Sequence, residues 1–169
     1  MKFKGHESFA IRRGWLYKGM KHVRERGDIF LAKDAMEELG LGSNMVKSLR
    51  YWMQATGLTE ETSEGSRRVQ KLTKLGELIW REDPYIEEIG TLWLLHAHLV
   101  TNEELATSWH FFFQRFLMQE FAKEDFVHAL RGEADAAESS LASDFDCILA
   151  TDIPRTLLKG RGDPESNID

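Results

Sequence analysis

A chain of 169 residues with 42% apolar content can bury a core without a disulfide or a structural metal, and its single cysteine, Cys147, excludes an internal disulfide and a cysteine-rich zinc site. The apolar run 91–95 stops at His96 and His98, far short of the ~20 residues a membrane span needs. Residues 1–7 lack the apolar stretch and small-residue cleavage site of a secretory signal, so a cytoplasmic location with no membrane partner is expected. The net charge of −6 is unevenly spread: residues 1–80 carry 15 Lys+Arg against 10 Asp+Glu, and residues 81–169 carry 7 against 18, giving halves of +5 and −11. The first half is the one suited to a polyanion.

Residues 12–26 place Trp15, Leu16, Met20 and Val23 at helical spacing, with Gly27 as a stop. Residues 28–31 read as a short β-type link. A second helix is expected over 33–39, apolar at Ala35, Met36 and Leu39, and Gly40-Leu41-Gly42 supplies a tight turn. Ser43 reads as the N-cap of a third helix running to about Thr56, with Gly57 behind it. These are helix-turn-helix dimensions.

At 100° per residue, Met45, Leu49, Trp52, Met53 and Thr56 fall on one side of the third helix, and Asn44, Lys47, Tyr51 and Gln54 on the other, flanked by Ser48 and Arg50. Asn and Gln suit adenine, Lys and Arg suit guanine or phosphate, and a serine at the helix start suits a phosphate. No acidic residue occurs from Ser43 through Gln54, whereas an ordinary solvated face mixes signs. Residues 58–72 then read as a hairpin around Glu64-Gly65-Ser66. As the wing, its returning arm offers Arg67, Arg68 and Lys71 to phosphates, tempered by Glu60, Glu61 and Glu64 on the outgoing arm. Thr73 caps a helix to about Trp80, with Leu75, Leu78 and Ile79 expected inward.

Asp83-Pro84 reads as an N-cap followed by proline at the first helical position, opening a buried helix to about Val100 with Ile86, Ile89, Trp93, Leu94 and Ala97 inside. An aromatic-rich helix is expected over 104–118, and further helices over 123–134 and 138–150. The Phe111-Phe112-Phe113 run reads as core packing rather than a base-stacking surface, because consecutive residues diverge around a helix. The fold class expected is therefore mainly α: an N-terminal winged helix-turn-helix with a small β-hairpin wing over 1–82, then an all-helical region over 83–169.

Catalytic and metal motifs are largely missing. The sequence has no phosphate-binding glycine loop, Cys-x-x-Cys pair or His-Glu-x-x-His helix, and His96 and His98 diverge by about 200°. Asp144 and Asp146 fit an acidic helix N-terminus better than a metal pair. His6 and Glu7 are weak catalytic candidates, with a structural tie between the N-terminus and the first helix as the competing role.

Three strings carry a resemblance. They are Phe3-Lys4-Gly5-His6-Glu7-Ser8-Phe9 with Arg12, Gly14 and Trp15; Leu41-Gly42-Ser43-Asn44-Met45-Val46-Lys47-Ser48-Leu49-Arg50-Tyr51-Trp52; and Leu72-Thr73-Lys74-Leu75-Gly76. They resemble a bacterial family of initially uncharacterised proteins that includes SspB, the nicking component of Ssp-type DNA phosphorothioation systems, and that occurs near sulfur-transfer enzymes of the phosphoadenosine-phosphosulfate-reductase type. The closing string Asp163-Pro164-Glu165-Ser166-Asn167-Ile168-Asp169 resembles an interior motif of longer relatives, and this resemblance implies a helical region that is incomplete at its C-terminal end. The resemblance implies a component of DNA phosphorothioation and anti-phage defence that binds double-stranded DNA, works with the other proteins of the system and supports nicking. No cofactor is expected in this chain, and any divalent metal for nicking would serve the longer protein. A protein-interaction adaptor without catalysis, a transcriptional repressor and a homodimeric state stay open.

Overall fold

The computed structural model describes residues 1–152. The closing string 163–169, with its likeness to an interior motif, lies outside the described residues. Within them the first half follows winged-helix order: α1 (Arg13–Glu25), α2 (Ala35–Leu39), α3 (Ser43–Ala55), an antiparallel hairpin of β1 (Thr59–Glu64) and β2 (Arg67–Leu72), then α4 (Lys74–Glu82). Helices follow: α5 (Ile89–Thr101), α6 (Thr107–Gln114), α7 (Lys123–Arg131) and α8 (Glu138–Asp152).

α1 buries Trp15, Leu16, Met20 and Val23 against α3, and the two backbones approach closely at Gly19, where an added Cβ would lie 2.5 Å from Met53 Sδ. Residues 28–31, expected as a β-type link, instead wind into a 3-10 turn over Ile29–Leu31, which drives Ile29 and Phe30 into the core. One strand-like contact does form there. The Gln70 N–H donates to Gly27 O at 2.8 Å, docking the returning arm of the hairpin on the end of α1. α2 begins two residues later than expected and ends at Gly40, whose φ of +59° lies in the left-handed region.

The hairpin pairs Thr59 with Leu72 and Glu64 with Arg67, leaving Gly65-Ser66 as a two-residue turn. Gly65 has φ +62° at the first central position, as a type II′ turn requires. Thr73 caps α4 as expected, its Oγ1 accepting from the Gly76 N–H at 3.1 Å. Leu78, expected inward, is exposed because Ile79 already takes the core-facing position.

The Asp83-Pro84 reading needs correction. Asp83 terminates α4, and its carboxylate accepts from the N–H groups of Glu87 and Glu88 at 3.0 and 3.1 Å, holding a turn that delays α5 until Ile89. The side of the helix that meets the core also differs from the expected one. Ile86 is buried from the turn, but Ile89, Trp93, Leu94 and Ala97 face solvent, and Thr91, Leu95, Leu99 and Val100 face inward. The Phe run does pack: Phe111 is buried, and Phe112 meets Phe116, Phe121, Phe126 and Phe145 with ring centroids 5.6–6.2 Å apart. Only Phe113 of the three is exposed. One hydrophobic core continues from Trp15 in α1 to Ile148 in α8.

Candidate nucleic-acid interface

The sequence placed two residues on the outward face of α3 that the fold covers. Tyr51 is 4% exposed, because residues 1–9 lie across that side of the helix, and Ser48 is fully buried as well. Gly5 makes the approach possible, since a Cβ there would sit 2.5 Å from Tyr51 Cδ2. His6 stacks on Trp52 at 6.0 Å, and Trp52 donates its indole N–H to Phe9 O at 2.9 Å. Burial, reinforced by the charge of Asp144, pushes the Tyr51 phenol far above its ordinary value. Among the described residues the Ser48 hydroxyl has no hydrogen-bond partner.

The segment is clasped from the far end of the chain. The Ser8 N–H donates to His6 Nδ1 at 3.0 Å, so Nε2 carries the ring proton and donates to Asp144 Oδ1 at 2.7 Å. Asp144 also accepts from the Lys4 N–H at 2.8 Å and from Ser108 Oγ at 2.5 Å. Lys4, Glu7 and Ser8 all sit at positive φ, a strain of order 1–3 kcal/mol each that these contacts must hold. His6 is therefore tied to α8 and α6, not to the first helix, and is shut away from solvent. Glu7 stands beside it, half-buried. Asp144 lies inside α8 rather than at a helix N-terminus, while Asp146 is exposed and pairs with Lys123 at 2.6 Å, so the two carboxylates do not converge. Among the described residues no three His, Cys, Asp or Glu side chains could hold a metal ion.

What remains outward on α3 is its beginning. Ser43, Asn44 and Lys47 are exposed, and Arg50 and Gln54 half-exposed. Ser43 is the first helical residue; the N-cap is Gly42, which offers no capping side chain and leaves the opening N–H groups of the helix available. Among the described residues Lys47 Nζ reaches only Asn44 Oδ1, at 3.5 Å. Arg50 is engaged differently, donating through Nε to Glu61 Oε2 at 3.0 Å and so fastening β1 to the helix. Its carbonyl accepts from the side-chain amides of Gln54 and of buried Gln70, at 3.2 and 3.3 Å.

On the wing, Arg68 and Lys71 face carboxylates of the outgoing arm: Arg68 lies 3.6 Å from Glu61, and Lys71 lies 2.6 Å from Glu64, which raises the Lys71 ammonium above its ordinary value. Arg67, at the tip, forms no ion pair among the described residues. The sequence reading had not included Lys2. Its Nζ lies 5.2 Å from the Tyr51 ring centroid, and burial followed by the nearby Arg50 charge lowers it from the ordinary lysine value. The glycine of Phe3-Lys4-Gly5-His6 was the available signal that this segment packs closely on something.

A family model described as "Protein of unknown function (DUF4007)" matches residues 3–169. The chain belongs to the DUF4007 family. Its sequence and fold are SspB-like: it matches a crystal structure of SspB at 35% identity and a magnesium-ion-bound crystal structure of SspB at 34%, each with a TM-score of 0.81 over 88% of this chain. The match spans 48% of each SspB chain, so this DUF4007 chain accounts for about half the length of those relatives. No curated protein matches it. Among the described residues no helix is long and apolar enough to cross a membrane.

Proposed function

We propose that this chain is the DNA-binding component of a bacterial DNA phosphorothioation and anti-phage defence system, acting in the cytoplasm and positioning duplex DNA for strand nicking. The observation that carries the reading is the carboxylate-free opening of α3. Ser43, Asn44 and Lys47 stand exposed there beside uncapped N–H groups, in a winged-helix arrangement whose third helix conventionally enters the major groove with its first residues. Asn44 has the donor and acceptor pair that reads adenine, and Lys47 and Arg67 supply charge for phosphates. Arg50, Arg68 and Lys71, held by Glu61 and Glu64, act at the margin, with Gln54 bonded to the Arg50 carbonyl. Similarity to SspB supplies the context of DNA-backbone sulfur modification. The divalent ion for nicking we assign to the part of the longer SspB chains outside the matched span.

A second reading is favoured by the neutralisation of Arg50, Arg68 and Lys71 by glutamates: the module serves as a protein-docking adaptor of the same system. Titrating labelled duplex at about 50 and 200 mM salt separates the two. Binding that weakens steeply with salt supports DNA engagement; no salt-sensitive binding supports the adaptor. Incubation with supercoiled plasmid and Mg²⁺ or Mn²⁺, beside full-length SspB, tests the assignment of nicking: relaxed circles from SspB alone are expected, and relaxation by this chain would overturn it.

A further inference from the structure

The two sides of α5 differ sharply. Its inward side holds the core, while Ile89, Trp93 and Leu94 stand in solvent, with 71% of Ile89 and 67% of Trp93 exposed. The strip continues onto α6: the Trp93 ring meets His96 edge-on at 5.7 Å, and His96 meets Phe113 at 4.8 Å. Residues 89–101 contain no Asp, Glu, Lys or Arg. A contiguous apolar surface containing an exposed tryptophan is a recurrent mark of an interaction site.

The surroundings identify the occupant. From Glu82 to Gln114 the chain has six carboxylates and neither lysine nor arginine. Glu87 and Glu88 are exposed before α5, and Glu103 and Glu104 after it, so both ends of the strip are acidic. The flanking cations are already matched, Arg81 with Glu82 at 2.6 Å and Arg115 with Glu133 at 2.6 Å. Such a surface repels a second copy of itself, nucleic acid and an anionic membrane alike, and attracts a ligand that is apolar in the middle and cationic at its edges.

The geometry points to a docking site on α5 and α6 for a basic amphipathic helix of a partner protein. Its apolar side lies on Ile89, Trp93, Leu94 and Phe113, and its lysines or arginines reach the glutamates at either end. This is the helix-in-groove mode, with charge setting specificity. The site is independent of the α3 surface proposed for DNA.

The test uses the whole chain and a labelled model helix of about three heptads, with Leu at the seam and Lys elsewhere, against its Leu/Glu counterpart, read by fluorescence anisotropy. The Lys helix is expected to bind at least about tenfold more tightly than the Glu helix, and Trp93→Glu with Leu94→Glu to weaken it by at least about tenfold. Glu87→Lys with Glu88→Lys, which keeps the apolar strip, is expected to weaken it several-fold. These four positions are exposed, and an unchanged thermal transition verifies folding of each variant. Equal binding of the two helices, no binding of the Lys helix, or indifference to the Trp93 and Leu94 changes would overturn the proposal. So would a dimeric mass in light scattering that those changes reduce to a monomer, which would give the face to a second copy.

Discussion

Replacing Lys47 and Arg67 together by alanine is the sharpest test of the surface proposed to face DNA. These two cations form no ion pair among the described residues, so each can neutralise a phosphate without first leaving a carboxylate. The slope of log K against log[salt] for duplex binding changes by about 0.9 per phosphate contact, so their loss is expected to flatten it by roughly 1.8. Over a fourfold rise in salt, each lost contact corresponds to about a 3.5-fold difference in affinity change. The contrasting pair, Arg68→Ala with Lys71→Ala, removes cations already held by Glu61 and Glu64. Its expected signature is a slope change below about 1, with weaker binding at low salt from the uncovered glutamates. Fluorescence anisotropy with a labelled duplex at four or more salt concentrations measures both. Equal slope changes for the two pairs, or an unchanged slope for Lys47→Ala with Arg67→Ala, would refute the reasoning.

Asp144→Ala leaves the buried His6 Nε2–H, the Ser108 hydroxyl and the Lys4 N–H without an acceptor; the expected loss in urea denaturation is about 3–5 kcal/mol, with Asp144→Asn less severe, and a loss under about 1 kcal/mol would contradict the clasp. Ser48→Ala removes a buried hydroxyl that has no partner among the described residues from the interior of α3 and is expected to raise stability by about 1 kcal/mol in the same assay. Tyr51 contributes on the alkaline side. Unfolded tyrosine ionises near 10, whereas burial keeps Tyr51 protonated well above that, so above pH 10 the unfolded state binds fewer protons and stability falls as pH rises, by about 1.4 kcal/mol per unit from this group. Tyr51→Phe is expected to remove that component of the slope in denaturation series between pH 9 and 11, and an unchanged slope would exclude Tyr51 as its source.

Local signals were legible where structure is locally decided. Thr73 as a cap, Gly65 in the turn and the apolar spacing of α1 each depend on a few neighbouring residues, and all three appear in the fold. The third helix shows where such reading stops. Its periodicity correctly placed Leu49, Trp52 and Met53 inside, but a helical wheel treats everything beyond the first buried face as solvent. Here a second layer arrives from residues 1–9, held by residue 144, and no local pattern records which side it takes. The α5 error has a different cause. Asp83 and Pro84 have the chemistry of a helix start, and the same carboxylate can instead close a turn; choosing between them requires knowing that Thr91 and Leu95, not Trp93 and Leu94, meet the core. Pairing of Arg50, Arg68 and Lys71 was only partly visible, because Arg68 and Lys71 reach Glu61 and Glu64 diagonally rather than their directly opposite residues, and Arg50 meets Glu61 only once α3 packs on β1.

The bond between His6 and Asp144 spans 138 positions, which bears on the order in which the protein can be completed during synthesis. A nascent chain that has exposed everything through α4 already contains the helix proposed to read DNA, yet its Tyr51 and Trp52 side still awaits an acceptor encoded far downstream. The layer over α3 becomes secure only after α8 has left the ribosome. A prematurely terminated product would thus carry the motif without its finished casing, with aromatic surface left exposed to aggregation and to the cell's quality control.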